Sequence, residues 1–435
     1  MCLKGTTDGV IRFAARYIQG NEDIKKSIVM FAGEKLLCKP FSTAEDFIHN
    51  LSAVKKMACM SIHLPFKFNR RFLHAQDMER TLVEKHMHVC LSMDPRFETA
   101  LTITLSEPLL AEASYLLMRS PSFDLPRSLL AELALPGLDK GVRGELIAMA
   151  LCLEARDAAA KRLQNRVIPV TEFIHELLTP TTHRNVLGSK PVRARTPDEA
   201  DKTLGDTFRN SKIYFNHFIK LRNHRCINRN FLWGLIARGT AAQCADYQDG
   251  VDIIVPFLYQ DNILRRENVS AFLIQCKNDE NYQSKPQLNL FDMMNPCENH
   301  LGFFDRNESH PVPVIRMVFA LASKTPCVTV IKPPERIQPP RKDVSKAAFK
   351  ADKYTAFDIW CGKASRETFR PIKDDGVYEK LLRSRVFPDV YESKKSETIQ
   401  NATRNMNPAT DVHHAHWERF TGQRSTTKGS FVDTP

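Results

Sequence analysis

Gly250-Val251-Asp252-Ile253-Ile254-Val255-Pro256, followed after a basic loop by Phe272-Leu273-Ile274-Gln275-Cys276-Lys277-Asn278, decides the reading of this chain. Both runs are short, apolar and rich in β-branched or aromatic residues, the composition of buried strands. Asp252 opens the first strand. Gln275 and Lys277 stand two apart near the end of the second, so both side chains leave the same face. If the strands pair as neighbours, a carboxylate, an amide oxygen and a lysine meet at one end of the sheet.

That set suits hydrolysis of a phosphodiester. Asp252 and Gln275 offer hard oxygen ligands of the kind Mg²⁺ or Mn²⁺ prefers, and the Cys276 carbonyl could add another. Lys277 would orient the attacking water or hold the phosphate. Cys276, between them in the alternation, should face the core and is not expected to act as a nucleophile. Taken singly, an aspartate opening a strand or a lysine closing one is commonly a surface residue. The weight lies in the conjunction.

Outward from this pair, the pattern predicts two apolar-basic helices near 206–222 and 230–244. Further strands are expected at VIRMVFALAS and CVTVIKP, both buried, with TAFDIWCG as an edge strand. Upstream, GELIAMALCLEARDAAAKRL from Gly144 reads as an amphipathic helix, and residues 180–205, rich in Pro, Thr and Arg, as a long exposed loop. Residues 1–135 read as a helical N-terminal region, with Ser106-Glu107-Pro108 as a helix entry. Residues 136–385 form the α/β domain, and 386–435 a flexible polar tail. A mixed central sheet of four or five strands is expected.

The Asp…Gln-x-Lys pattern on adjacent strands resembles the PD-(D/E)xK nuclease superfamily, with glutamine where glutamate is usual, as in Mrr-type restriction endonucleases. RGTAAQCADYQDGVDIIVPF with AFLIQCKN, preceded by SEPLLAEAS and KGVRGELIAMALCLEARD, also resembles the nuclease-like domain of crinkler-type effector proteins of fungi and oomycetes. The nuclease resemblance covers about forty residues and the crinkler-type one roughly residues 100–335. It implies a restriction-endonuclease-like α/β fold, a Mg²⁺ (or Mn²⁺) cofactor and DNA as substrate. The alternative it leaves open is an inactive nuclease-like module that binds nucleic acid or protein. Many such effectors carry an upstream P-loop ATPase. Gly33-Glu34-Lys35 lacks that motif's first glycine and its Ser/Thr, so a truncated or nuclease-only member is expected.

The superfamily usually adds a glutamate from a helix before the first core strand. NFLWGLIARGTAAQC, just upstream, holds no acid; Gln243 is its one candidate oxygen ligand. Glu145, 107 positions before Asp252, is the better acid. On a 206–222 helix, Arg209, Lys212, Asn216 and Lys220 would share roughly one side while Phe208, Phe215, Phe218 and Leu221 fall towards another, which reads either as a phosphate-contacting face beside the cleft or as a solvated face over a buried aromatic core. Arg265 and Arg266 lie between the core strands.

Composition agrees with a polyanion partner. The 435 residues carry a net charge of +12, with 43% hydrophobic and 26% charged residues. Eleven scattered cysteines, without a CxxC pair, suit a reducing compartment. No apolar run reaches the roughly 20 residues of a membrane span, and MCLKGTTDGVIRFAARYIQG is a poor secretory signal. An intracellular location, nucleus or cytoplasm, is expected. His86-x-His88-x-Cys90 would put three zinc ligands on one strand face, but ERTLVEKHMHVCL reads better as helix. His413, His414 and His416 fall in the tail.

Overall fold

The computed structural model describes residues 22–37, 53–66, 79–80, 82–84, 88–93, 95, 100–104, 106–119, 123–133, 140–221, 223–246, 248–260, 263–297, 301, 303–304, 311–333, 351–383, 423–425 and 431–433. The chain divides into two units, Met1–Arg383 and Ser384–Pro435. In the second, the described residues form one antiparallel pair, Gln423–Ser425 with Phe431–Asp433. Most of the expected 386–435 tail, with His413, His414 and His416, lies outside the described residues. No helix among the described residues is long and apolar enough to cross a membrane.

The first unit is mixed α/β. A separate hairpin pairs β1 (His88–Met93) with β2 (Ala100–Thr104). The main sheet has nine strands, more than the four or five expected: β3 (Ile168–Pro169), β4 (Lys212–Ile213), β5 (His217–Lys220), β6 (Thr240–Gln243), β7 (Ile253–Leu258), β8 (Val269–Lys277), β9 (Val314–Ala320), β10 (Cys327–Val330) and β11 (Ala356–Gly362). Its order is β10-β11-β9-β8-β7-β4-β3, with β6 on the other end of the same β7 edge and β5 beyond β6. β6, β7 and β8 are successively antiparallel, whereas β9 runs parallel to β8 and β11 parallel to β9.

Strand alternation divides the core in two. Ile253, Val255, Phe257, Phe272 and Ile274 face one side, packed with the 24-residue helix Lys140–Leu163 and with helix Val170–Leu177. Alanines and straight-chain residues favour the long helix, and its Leu151, Cys152, Ala155 and Ala159 are fully buried. Ile254, Ala271 and Leu273 face the other side, under Leu232, Leu235 and Ile236 of helix Arg229–Arg238 and Phe291 of helix Leu288–Met293. The N-terminal helices Glu22–Leu37, Ala53–His63 and Pro108–Met118 share the first of these cores.

Several expected elements take another form. The 206–222 segment is not a helix: a one-turn helix Leu204–Thr207 gives way to β4 and β5. The 230–244 helix stops at Arg238 because Gly239 takes a left-handed φ of 65° and turns the chain into β6. A Cβ there would lie 2.9 Å from the Tyr214 ring. The stretch expected as a loop at 180–205 holds helices Pro180–Leu187 and Pro197–Asp201, each with proline in its first turn. ERTLVEKHMHVCL becomes a strand from His88 onward.

β10 and β11 exchange their expected roles. TAFDIWCG is interior and fully buried, while CVTVIKP supplies the half-buried edge. Asp358 of β11 is in register with Arg316 of β9. The two form a buried, doubly hydrogen-bonded pair at 2.7 and 2.6 Å. Arg316 also donates to the Phe291 carbonyl and the Tyr354 hydroxyl.

Candidate active site

Asp252 is held from both sides, by β8 and by Cys244 just past the end of β6. Its N–H donates to the Ile274 carbonyl at 2.9 Å, its carbonyl accepts from Cys244 N–H at 2.7 Å, and its Oδ2 accepts from Cys276 N–H at 2.6 Å. Gly250, with φ of 82°, brings the chain in beneath helix Leu288–Met293; a Cβ there would sit 2.2 Å from the Met293 carbonyl oxygen. The register Ile253↔Ile274 places Asp252 across from Gln275, on the same face as Leu273 and Lys277.

Gln275 is 3% exposed, and its Oε1 is buried with no hydrogen-bond partner. Such an orphan oxygen is costly unless something meets it. Lys277, one residue pair further on, places its ammonium 5.6 Å from the centre of the Tyr282 ring.

Glu145 reaches this end of the sheet through a tight helix-to-strand joint. Gly144 leaves no room for a Cβ, which would fall 2.8 Å from that of Asn278. Asn278 Nδ2 donates to the Lys140 carbonyl at 2.9 Å and to that of Leu382 at 3.3 Å. The start of helix Lys140–Leu163 is thereby fastened to the end of β8, and the long gap between Glu145 and Asp252 in sequence closes. Gln243, on β6 rather than on a helix, donates from Nε2 to Glu145 Oε2 at 2.5 Å. Lys220, at the end of β5, stands 4.0 Å from that same oxygen and 3.0 Å from Asp246 Oδ1.

The electrostatics follow from this crowding. Burial, and after it the negative charge of Glu145, push the Asp252 carboxyl up to about 6; the Cys276 N–H, Lys277 and Lys220 pull the other way. Cys276 packs against the first core. Burial and the charge of Asp252 raise its thiol well above the ordinary range, which disfavours the nucleophilic thiolate.

The donor set suits a small hard cation. One oxygen of Asp252 is taken by Cys276 N–H and the other is left; Gln275 Oε1 is unpartnered; Glu145 brings a second carboxylate. The set is nonetheless poor in acids. No group of three or more His, Cys, Asp and Glu able to hold a metal occurs among the described residues. His88, buried, hydrogen-bonds to Thr102 Oγ1 at 3.1 Å, and His86 lies outside the described residues.

The expected nucleic-acid contacts separate. Lys220 belongs to the site itself. Lys212 pairs with Leu258, at the opposite end of β7 from Asp252. Arg265 and Arg266 are exposed in the β7–β8 connection, also at that far end, the length of nine-residue β8 away, roughly 25–30 Å. Arg209 is exposed and paired with Asp206 at 2.5 Å. With the helix replaced by two short strands, these residues cannot form one face beside the site. Sequence reading missed Asp246 and Tyr282, and gave Gln243 and Lys220 other settings. The Gly239 stop was the available signal for Gln243.

Compared with protein-family models, with curated proteins and with solved structures, the chain gives no match.

Proposed function

We propose that this chain is a metal-dependent endonuclease that hydrolyses phosphodiester bonds in DNA, with a restriction-endonuclease-like core of the kind its sequence resembles in crinkler-type effectors. The observation that carries the reading is the meeting of Glu145, Asp252, Gln275 and Lys277 at one end of β7 and β8, with the Gln275 oxygen buried and unpartnered. The antiparallel β6–β7–β8 run and the acid from a preceding helix support it.

In this reading Asp252, Glu145 and Gln275 hold Mg²⁺ or Mn²⁺. A bound ion of this kind would supply Lewis acidity for a phosphoryl oxygen and a more acidic water. The chain's own residues do the rest. Cys276 N–H fixes the rotamer of Asp252. Gln243 fixes that of Glu145. Lys277, steadied by the Tyr282 ring, orients the attacking water or holds the phosphate. A second reading, a non-catalytic module that binds nucleic acid or protein in nucleus or cytoplasm, is favoured by one observation: Glu145 is already engaged by Gln243 and Lys220.

The test is supercoiled plasmid incubated with purified protein. Nicking with Mg²⁺ or Mn²⁺ but not Ca²⁺, abolished in Asp252→Asn, is the expected result. Equal binding with no cleavage by either protein would leave the binding module.

A further inference from the structure

Lys220 and Gln243 are register partners at the ends of two parallel strands, and both reach Glu145 Oε2. Asp246, three residues past Gln243, takes the other side of the Lys220 ammonium at 3.0 Å. The lysine therefore bridges two acids on separate elements. Its side chain is 26% exposed, so its end has room to move. The charge of Glu145 is felt at the buried Asp252 carboxyl, so the two acids repel and a compensating cation is favourable. Lys220 supplies one from within the chain.

We infer that Lys220 is the built-in counter-cation of this site, shared between Glu145 and Asp246, and that it sets how tightly the site takes a divalent ion. The inference rests on the reading of Glu145, Asp252 and Gln275 as cation ligands. Without metal, the ammonium stands between the two acids, 3.0 Å from Asp246 and 4.0 Å from Glu145, and lowers the repulsion at the site. With metal, the two cations repel, and Asp246 is the acid towards which Lys220 withdraws. Lys220 thus competes with the metal, and Asp246 relieves that competition. The long, flexible lysine stem and compact charge suit such a shift.

The two partners then act with opposite sign, and the Asp246 effect runs through Lys220: in the double variant Lys220→Met/Asp246→Asn, titrated alongside the single ones, the loss of Asp246 should matter little, whereas a bystander charge would weaken Mn²⁺ binding in either background. Lys220→Met removes the competitor and keeps the aliphatic packing. It should tighten Mn²⁺ binding on the order of tenfold. Asp246→Asn leaves the ammonium to the acids of the site, Glu145 first, and should weaken Mn²⁺ binding several-fold. Mn²⁺ is titrated into the full chain, and free ion is followed by its electron paramagnetic resonance signal, for wild type, Lys220→Met, Asp246→Asn and Asp252→Asn. Thermal melting of each variant establishes that it is folded; an unfolded Lys220→Met is replaced by Lys220→Gln. If wild type binds Mn²⁺ and Asp252→Asn does not, but the Lys220 and Asp246 variants shift together or not at all, the counter-cation role is wrong and the metal site stands. If no folded variant binds Mn²⁺, the metal reading fails and the role of Lys220 falls with it.

Discussion

Asp252→Asn should make the metal-free protein more stable at neutral pH. The Asp252 carboxyl is raised from an ordinary value of 3.8 to about 6, chiefly by burial and then by Glu145. Between those two pH values the folded protein holds a proton that the unfolded chain has lost, so stability falls as pH rises through this window. The whole cost is present above pH 6. At about 1.4 kcal/mol per pH unit it comes to roughly 3 kcal/mol, an upper figure because Asp252 keeps some contact with solvent. Asparagine carries no charge yet retains an oxygen for the Cys276 N–H. For a cooperative unit of this size, that gain corresponds to a rise in Tm of roughly 4 °C. The assay is thermal unfolding by circular dichroism in EDTA at pH 5 and pH 7.5, wild type against variant. The advantage of the variant should be clear at pH 7.5 and shrink at pH 5. A lower Tm for Asp252→Asn at pH 7.5 would refute the reasoning and make the Asp252 charge a structural requirement.

Other substitutions probe different parts of the account. Lys277→Ala should stop plasmid cleavage with the melting curve intact, whereas Gln275→Glu, which adds an acidic ligand, should keep or raise it in the same assay. Arg316→Met leaves Asp358 buried without its partner and should cost about 3–5 kcal/mol in urea unfolding, much of it recovered in Arg316→Met/Asp358→Leu. Gly250→Ala forces a Cβ onto the Met293 carbonyl and a side chain into a positive φ; a loss of at least about 1–3 kcal/mol is expected, read from the shift in the urea midpoint.

The central strands were legible because their burial leaves a plain mark: β7, β8, β9 and β11 are mostly apolar runs broken at single positions such as Arg316 and Asp358, and the two-residue spacing of Gln275 and Lys277 fixes a shared face whatever surrounds it. Helix Lys140–Leu163 was legible for the same reason. What misled was local pattern without knowledge of partners. Phe215 and Phe218, three apart, mimic one side of a helix, but both are buried around strands of two and four residues. TAFDIWCG, expected at the edge, is interior, where its Asp358 is paired by Arg316 from a distant segment. The ranking of Glu145 above Gln243 came from chemistry; its place beside Asp252 depends on Gly144 packing against Asn278, a contact across the chain that no local window contains.

The most direct measurement of the central claim is anomalous diffraction from crystals of the full chain grown with Mn²⁺. The account expects a peak about 2 Å from a carboxylate oxygen of Asp252 and from Gln275 Oε1, with Glu145 directly or through water in the same coordination shell. No peak at this end of β7 and β8 under saturating Mn²⁺, or one bound elsewhere with Gln275 still unengaged, would contradict it.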